Sequence, residues 1–402
     1  MTTLNITKLL FIALIYLPIF GFSQVLTNNT SISITKTWTS QPSGYTYPIN
    51  ILAPQGAVPQ GGFPVCILLH GNGSANLPNL AGPPMLSQQQ FGSVLPCHIL
   101  VAPTGYQNSW NICAENSDAP DVEMINDLVN ILQTYTNVDT TKIRILGVSN
   151  GSGLTNRVFI ENTNPGIDMV CAIVSHLSDF NYRSGIFYKP NAATTSSVNL
   201  NCGYNVPVSP LTSRKYLSIS NTNDSLIPYL GGTSVVGATF LPAETAAFNI
   251  ATYKGYSGSI LTSGTTTGTG NLTITAYSYL SGDVVHLKGA AGHQVNATQK
   301  NYITNYFSDC ATTLGIKENT LFDFKIYPNP ANDILYIKAD AALINADYAV
   351  NDNLGKTLFV GKIKSENTSI DIKILSKGIY YLSIGGYLKN EMKIVVKPIQ
   401  VL

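Results

Sequence analysis

The chain contains short, continuous apolar runs separated by segments with a helical repeat of apolar residues. The apolar runs lie at 65–69, 98–102, 142–146, 169–175 and 215–220. Continuous apolar runs of this length predict strands that are buried on both faces. Because helix-like segments lie between them, the pattern predicts an α/β fold with a mostly parallel sheet covered by helices.

The clearest helix is predicted to start at Pro120, because proline is favoured in the first turn of a helix. Its apolar face recurs at spacings of three and four, at Val122, Ile125, Val129 and Leu132. The other predicted helices cover 85–94, the segment after Gly151, 246–253 and 294–307.

Two segments do not fit this alternation of strands and helices, and two others alternate between apolar and polar residues as strands do. Residues 31–53 alternate between apolar and polar side chains and predict an antiparallel lead-in. Residues 176–214 form a polar excursion rich in Asn, Ser and Tyr, too long for a plain connection and a candidate wall of an active-site cleft. Residues 259–270 are a Ser, Thr and Gly-rich stretch that predicts a loop, and 272–280 alternate as a strand.

The pattern changes after Cys310. Residues 321–402 contain short strand-like segments separated by turn residues, which predicts a small all-β domain. Residues 311–320 are the predicted linker, and 24–310 the predicted main domain.

The first 23 residues predict a secretory signal peptide. Lys8 precedes an apolar run, Leu9 to Phe20, and small residues at Gly21 and Ser23 suit cleavage after Ser23. The run is shorter than the roughly 20 residues that a membrane span needs, and no later stretch reaches that length. The sequence therefore predicts an exported chain without a transmembrane segment after cleavage.

The charge balance narrows the possible functions. The chain has 23 Lys and Arg, 22 Asp and Glu, and a net charge of +1, which argues against a nucleic-acid partner. Only 11% of residues are charged, so Asn, Thr, Ser and the 22 Tyr must solvate the surface. Such surfaces are typical of secreted proteins that act on polymers.

Six cysteines in an exported chain suggest disulfides rather than a metal site. Neither C-x-x-C nor H-E-x-x-H occurs, so no metal is predicted. Cys66 and Cys171 lie inside apolar strand-like runs and are expected to be buried free thiols. The remaining four lie among loop residues and are available for pairing: Cys97, Cys113, Cys202 and Cys310. Among the possible pairs, we favour Cys113 with Cys202.

One G-x-S-x-G motif occurs, at Gly147-Val148-Ser149-Asn150-Gly151. Alone it is weak support for a nucleophile. Here it follows the buried strand KIRIL and precedes a helical pattern, which is the strand–turn–helix setting that exposes a nucleophilic serine. We therefore predict Ser149 as the nucleophile, against the alternative of an ordinary glycine-rich turn.

A nucleophilic serine needs a histidine base and an acid that orients it. In hydrolases of this kind the chain order is Ser, acid, His. His293 lies in a loop after the last strand, whereas His286 lies within a strand-like stretch, so His293 is the predicted base. Asp224 follows the strand KYLSIS and is preferred as the acid over Asp179, one strand earlier.

The oxyanion of an acyl-transfer reaction needs two converging N–H donors. One is predicted from the backbone of Asn150, directly after the nucleophile. The other is predicted from Asn72 in the loop His70-Gly71-Asn72-Gly73, where glycines allow a close approach of substrate. His70 itself is interpreted as a structural residue.

Several blocks in one order resemble the polyhydroxybutyrate depolymerase and feruloyl or acetylxylan esterase group of the α/β-hydrolase fold. The blocks are LLHGNG at 68–73, APTG with SWN at 102–111, VDTTKIRILGVSNG at 138–151, TNDSLIPYLGG at 222–232, and GH at 292–293. The resemblance covers 45–307 and implies the same triad, Ser149, Asp224 and His293.

The chain departs from this group at three places. The acid motif of the group opens with His-Gly-Thr, and this chain has Ser220-Asn221-Thr222. Ser152 replaces a glycine after the nucleophile motif, and Gln294-Val295 replaces a Trp-Pro pair after the base. These positions surround the predicted pocket, so the resemblance implies the triad but not the substrate.

A second resemblance concerns the C-terminal domain. FKIYPNPANDILYI at 324–337, LGK at 354–356 and LSKGIYYLSI at 375–384 resemble the type A sorting domain of the type IX secretion system of Bacteroidota. The resemblance implies that residues 321–402 interact with that machinery. It also implies release or anchoring at the cell surface, against the alternative of a generic β-sandwich binding domain.

Together these observations predict a secreted serine esterase without a cofactor. The expected substrate is a polyester or a plant-polysaccharide ester, and Trp110 and Tyr229 are candidate substrate contacts, with core packing an equal alternative for Trp110. Two other functions remain open from the sequence: a non-catalytic adhesin on a hydrolase fold, and a peptidase of the same fold.

Overall fold

The computed structural model describes residues 24–73, 88–113, 115–195, 200–308, 324–339, 343–352, 356–388 and 391–402. The predicted signal peptide and the predicted linker lie outside these residues, as does the first part of the helix predicted at 85–94. The chain divides into two compact units, Met1–Cys310 and Ala311–Leu402.

The first unit contains five α-helices among its described residues: α1 Gln88–Val94, α2 Asp121–Leu132, α3 Asn150–Glu161, α4 Ala243–Tyr253 and α5 Ala297–Tyr306. Its strands are β1 Thr35–Trp38, β2 Gln41–Thr46, β3 Ile49–Leu52, β4 Phe63–Leu69, β5 Ile99–Pro103, β6 Val138–Val148, β7 Ile167–Ile173, β8 Tyr182–Arg183, β9 Ile186–Pro190, β10 Tyr204–Val208, β11 Lys215–Asn221, β12 Gly232–Thr233, β13 Thr239–Phe240, β14 Thr265–Thr267, β15 Ile274–Tyr279 and β16 Val284–Gly289. Short 3₁₀ helices cover Tyr106–Asn108, Leu200–Gly203, Gly270–Leu272 and Leu280–Gly282.

A nine-stranded sheet forms the centre of this unit, in the order β14-β15-β16-β11-β7-β6-β4-β5-β3. The strands from β16 to β5 pair in parallel, and β3, β15 and β14 add antiparallel pairs at the two edges. The mostly parallel α/β sheet expected from the apolar runs is therefore confirmed.

The apolar runs are continuous because both faces of the sheet are covered. In β4, Val65, Ile67 and Leu69 pack into one core cluster, whereas Cys66 and Leu68 pack into the other. Side chains of a strand alternate between faces, so a strand between two helical layers needs an apolar residue at every position. Helices α2, α3 and α4 contribute to the first cluster, and α1 and α5 to the second.

Two irregular segments contain more regular structure than the sequence predicted. The Ser, Thr and Gly-rich stretch predicted as a loop includes β14, which pairs with β15 at the edge of the sheet. The polar excursion of residues 176–214 includes a small antiparallel sheet of β8, β9 and β10. Both are short pairings within segments that are polar as a whole, where a hydrophobic repeat gives little signal.

The cysteine predictions are confirmed where the structure describes them. Cys113 and Cys202 form a disulfide with their Cα atoms 5.2 Å apart. Cys66 and Cys171 are free and buried, and burial raises the pKa of both thiols. Cys97 is disulfide-bonded, and Cys310 lies outside the described residues.

The second unit is built from strands, as predicted: β17 Phe324–Tyr327, β18 Ile334–Ala339, β19 Asp347–Asn351, β20 Thr357–Lys362, β21 Asn367–Asp371, β22 Gly378–Leu388 and β23 Glu391–Val401. They form a three-stranded sheet, β17-β18-β21, and a four-stranded sheet, β20-β19-β22-β23. Residues from both sheets, such as Leu335, Ile370 and Leu382, share one buried cluster.

A buried carboxyl group joins the start of α2 to the loop after β5. Asp121 is fully buried, and its two oxygens accept hydrogen bonds from Tyr47 Oη at 2.9 Å and from the Asn111 N–H at 2.7 Å. Burial raises the pKa of Asp121 from 3.8 to about 7, against the opposite effect of these two hydrogen bonds. The folded state therefore binds the carboxyl proton of Asp121 more tightly than the unfolded state does.

This shift predicts a pH-dependent contribution to stability. Below pH 3.8 the carboxyl is protonated in both states, and as the pH rises toward 7 only the unfolded state releases the proton freely. Between pH 4 and 7, we expect the free energy of unfolding of the wild type to fall, relative to that of Asp121→Asn, by on the order of a few kcal/mol. Urea unfolding of both proteins at several pH values measures this difference, and a pH-independent difference would contradict the assignment.

Candidate active site

Ser149 lies at the junction between β6 and α3. Its backbone has φ 57° and ψ −119°, a conformation that residues other than glycine rarely adopt. The Ser149 N–H donates to Ile173 O at 2.9 Å, and its carbonyl accepts from the Gly153 N–H at 3.1 Å. The turn is thus held by the neighbouring strand on one side and by the helix on the other.

Two positions of the motif must be glycine because there is no space for a side chain. A Cβ atom on Gly147 would overlap the carbonyl of Gly151, and a Cβ atom on Gly151 would overlap the carbonyls of Leu69 and His70. The start of α3 therefore lies directly against the end of β4. This close approach explains why the strand–turn–helix junction has glycine at both positions.

The structure brings Ser149, His293 and Asp224 into one chain of hydrogen bonds. His293 Nε2 lies 2.7 Å from Ser149 Oγ, and His293 Nδ1 lies 2.8 Å from Asp224 Oδ2. Asp224 accepts only, so Nδ1 carries the proton that is shared with it, and Nε2 accepts from the serine hydroxyl. This is the arrangement needed for Nε2 to take the proton of Ser149.

The Asp224 carboxylate is held from its other side by the backbone. Its Oδ1 accepts hydrogen bonds from the N–H groups of Leu226 at 2.8 Å and Ile227 at 3.0 Å. Burial alone would raise the pKa of Asp224, but the hydrogen bond from His293 and these backbone donors outweigh it, and the pKa is lowered. Asp224 therefore remains a carboxylate next to the imidazole.

The two competing residues lie elsewhere. His286 is fully buried on β16, with Nδ1 3.3 Å from Ser218 Oγ and Nε2 3.0 Å from Tyr229 Oη. Burial lowers the pKa of His286 to about 3, so it is neutral. Asp179 is exposed in a turn and hydrogen bonds the backbone of Phe180. In this structure the carboxylate that contacts His293 is that of Asp224.

Asn221 holds the loop that carries His293. Its Nδ2 donates to the carbonyls of Gly292 and Gln294, both at 2.8 Å, on either side of the histidine. Its Oδ1 accepts from Gln299 Nε2 at 2.7 Å in α5. The sequence showed this position only as a departure from the resembling esterases, because the contacts join segments more than 70 residues apart.

Asn72 and Asn150, the predicted sources of oxyanion N–H donors, line the same cavity as Ser149. The Asn150 side chain binds the backbone of Trp110, since its Oδ1 accepts from the Trp110 N–H at 2.7 Å and its Nδ2 donates to Trp110 O at 2.9 Å.

His70 supports the loop that contains Asn72. Its Nε2 accepts from the Gly105 N–H at 3.0 Å, which leaves Nδ1 to donate to Gly71 O at 2.7 Å. Burial lowers the pKa of His70 to about 4, consistent with this neutral form.

The cavity beside Ser149 has a volume of about 270 Å³. One part of its wall is apolar, with Phe180, Ile227 and Phe240, and another part comes from the polar segment after β7. His176 in that segment was not predicted; its Nε2 donates to Leu241 O at 2.7 Å. Residues of the polar excursion predicted as a cleft wall thus contribute to this cavity.

Trp110 and Tyr229, the predicted substrate contacts, are not among the described residues that line the cavity. The Trp110 side chain is 0% exposed, and its Nε1 donates to His70 O at 2.9 Å. Tyr229 is also buried, and its Oη donates to Glu244 Oε1 at 2.8 Å. In this structure both residues lie in the core: Trp110 hydrogen bonds the loop after β4, and Tyr229 contacts α4 through Glu244.

Residues 325–397 match the model of the secretion system C-terminal sorting domain. This match supports secretion to the cell surface or the exterior and an interaction of the second unit with the secretion machinery. Within the described residues, no helix has the length and apolar character of a membrane span.

Comparison of the chain with solved structures gives distant similarities to esterases. The Bacillus cereus carboxylesterase has 11% identity and a TM-score of 0.40, covering 65% of this chain and 93% of that chain. A thermostable esterase has 13% identity and a TM-score of 0.35, covering 68% and 59%. The LpqC poly(3-hydroxybutyrate) depolymerase of Bordetella parapertussis has 14% identity and a TM-score of 0.29, covering 46% and 63%. No curated protein matches the chain in sequence.

The close approach of α3 and β4 predicts that Gly151→Ala lowers stability. The added methyl group has no space between the carbonyls of Leu69 and His70, and overpacking of this kind costs about 1–3 kcal/mol or more. The control is Gly92→Ala in α1, where the nearest atom to the new Cβ is Leu52 Cδ2 at 3.4 Å. Alanine there should be neutral or stabilising by up to about 1 kcal/mol. Chemical unfolding of both variants checks the prediction, and equal stability of Gly151→Ala and wild type would contradict it.

Proposed function

We propose that the first unit is a serine esterase that hydrolyses carboxylic esters. The observation that carries this proposal is the hydrogen-bonded chain from Ser149 Oγ through His293 to Asp224, beside a cavity that reaches the serine. A buried structural network would not need a serine in a strained backbone conformation in the wall of a cavity.

In the acylation step, Ser149 Oγ attacks the ester carbonyl while His293 Nε2 takes its proton. The positive charge that develops on the imidazole is stabilised by the Asp224 carboxylate at 2.8 Å. His293 then delivers the proton to the leaving alkoxide, and the C–O bond of the ester breaks. The products of this step are a free alcohol and an acyl group on Ser149.

Deacylation repeats the same proton transfers with water. His293 takes a proton from a water molecule, the resulting hydroxide attacks the acyl carbonyl, and the proton returns to Ser149 Oγ. In both steps the oxyanion is stabilised by the backbone N–H groups of Asn72 and Asn150, which flank Ser149 in the cavity wall. No cofactor enters this scheme.

The natural substrate in this proposal is a polyester or a plant-polysaccharide ester encountered outside the cell. A cavity of about 270 Å³ has room for one end of such a substrate and not for a long stretch of the polymer. The polar, weakly charged composition and the sorting domain are consistent with action on an external polymer. In this proposal 24–310 is the catalytic domain and 321–402 the sorting domain, joined by 311–320.

Removal of the nucleophile should abolish ester hydrolysis. Ser149→Ala is expected to lower kcat by a factor on the order of 10⁴ to 10⁶, because the remaining groups have no oxygen to acylate. Hydrolysis of p-nitrophenyl butyrate measures the loss, and a fluorophosphonate probe should label the wild type at Ser149. Labelling at another residue, or hydrolysis of casein without hydrolysis of esters, would contradict the proposal.

The acid is tested with a matched pair of variants. Asp224→Asn should lower kcat by roughly 10⁴, because an amide at this position favours the wrong imidazole tautomer. Asp179→Asn should change kcat much less, since that side chain is exposed and hydrogen bonds the Phe180 backbone. The reverse order of effects would assign the acid to Asp179.

The second unit is expected to serve export and not catalysis. Deletion of residues 319–402 should leave the specific activity of the purified enzyme nearly unchanged, since the proposed catalytic residues all lie in the first compact unit. In a host with the type IX system, the truncated protein should accumulate in the periplasm. Loss of activity with normal secretion would assign the second unit to substrate binding.

A further inference from the structure

A chain of amide groups runs from the start of α5 to the loop that carries the proposed base. The Asn296 N–H donates to Gln299 Oε1 at 2.8 Å, and Gln299 Nε2 donates to Asn221 Oδ1 at 2.7 Å. Asn221 Nδ2 then donates to the carbonyls of Gly292 and Gln294, both at 2.8 Å. These two residues flank the base in the sequence, so the chain of hydrogen bonds ends on the backbone that carries the imidazole.

The orientation of both side-chain amides follows from the groups at the two ends of this chain. A backbone N–H can only donate, so the oxygen of Gln299 faces Asn296 and its nitrogen faces Asn221. Backbone carbonyls can only accept, so the nitrogen of Asn221 faces the loop. A flipped Asn221 amide would place its oxygen against two carbonyls. The loop is therefore held in one arrangement.

Both side-chain amides are buried, so water does not readily take their place. Asn221 is 1% exposed and Gln299 is 0% exposed. They lie over Gly289, which is opposite Asn221 in the parallel pairing of β11 with β16, and a Cβ atom on Gly289 would overlap both side chains. Loss of the Asn221 side chain would remove two buried hydrogen bonds from the loop without a substitute.

The turn that begins at Asn221 also carries the proposed acid. Asp224 lies three residues later, and its N–H donates to Asn221 O at 3.2 Å. Its carboxylate contacts His293 Nδ1 at 2.8 Å, so one turn orients the imidazole and holds the backbone on both sides of it. Ser149 lies on a separate strand–helix junction. The distance of 2.7 Å between its Oγ and His293 Nε2 therefore depends on where this loop is held.

We propose that Asn221 and Gln299 are positioning residues for His293, which place its Nε2 for proton transfer from Ser149 and to the leaving alcohol. The inference rests on the proposed esterase function. Neither amide residue is among the described residues that line the cavity, so each acts through the histidine and not on the substrate. The resembling esterases have glycine at the position of Asn221, so their shared motif does not supply this support.

The test compares wild type and Asn221→Ala on two esters of one acid, p-nitrophenyl butyrate and methyl butyrate. Both reactions need His293 to take the proton of Ser149. Methoxide also needs a proton from His293 as it leaves, whereas p-nitrophenolate is a stable anion that leaves without one. Because a shift of about 1 Å can cost about 100-fold, Asn221→Ala should lower kcat/KM about tenfold for p-nitrophenyl butyrate and about 100-fold for methyl butyrate.

Asn137→Ala is the matched control. Asn137 is also a buried amide that binds backbone, since its Nδ2 donates to Leu26 O at 2.9 Å and its Oδ1 accepts from the Leu26 N–H at 2.8 Å. It directly precedes β6, whereas Ser149 follows the other end of that strand. We expect Asn137→Ala to lower the free energy of unfolding but to keep the wild-type kcat/KM for both esters.

Gln299→Met is the second variant, because methionine has a similar length but cannot donate to Asn221. It should lower kcat/KM by a smaller factor than Asn221→Ala, again more for methyl butyrate than for p-nitrophenyl butyrate. Added to Asn221→Ala, it should cause little further loss, because the two residues act through one chain of hydrogen bonds. Additive losses would contradict a shared chain and overturn the role of Gln299.

The outcomes separate this inference from the proposed function. The inference is overturned if Asn221→Ala keeps the wild-type kcat/KM, if its loss is equal for the two esters, or if Asn137→Ala shows the same unequal loss. Wild-type enzyme that cleaves only p-nitrophenyl butyrate also overturns it, because His293 then delivers no proton to an alcohol. Wild-type enzyme that cleaves neither ester overturns the proposed function as well. If Asn221→Ala does not fold, Gln299→Met decides: an unequal loss supports the inference, and its absence overturns it.

Discussion

The close approach of α3 to the end of β4 is the constraint on which the site depends. Gly147 and Gly151 make it possible, and the short turn between them forces Ser149 into a backbone conformation with φ 57°. The same turn places Asn150 where its side chain binds the backbone of Trp110. One tight junction therefore positions the serine and one wall of the cavity together.

The parallel sheet supplies the rest of the proposed triad. Ser149 follows β6, Asp224 follows β11 and His293 follows β16, and the parallel direction of these strands brings their carboxyl ends to one edge of the sheet. Local hydrogen bonds then hold the loops that carry Asp224 and His293. The backbone N–H groups of Leu226 and Ile227 hold Asp224, and Asn221 holds the segment on either side of His293.

In the first unit, the sheet edge that carries the proposed triad lies beside a cavity wall made partly from irregular sequence. The segment after β7 contributes His176 and Ser178 to the cavity, and the disulfide between Cys113 and Cys202 joins two loops next to it. Such a wall can change without altering the sheet, so the shape of the cavity can differ between proteins that share this arrangement. The sorting domain, residues 325–397, supports secretion of the whole chain to the cell surface or the exterior.

The sequence by itself determined the mostly parallel sheet and the strand–turn–helix setting of Ser149, because continuous apolar runs and glycine spacing are local properties. It favoured Asp224 and His293 only from their places after strands. It also favoured the pair Cys113 and Cys202. Only the tertiary structure decided which carboxylate meets His293 and that Trp110 packs inside the core, since these depend on where distant segments meet.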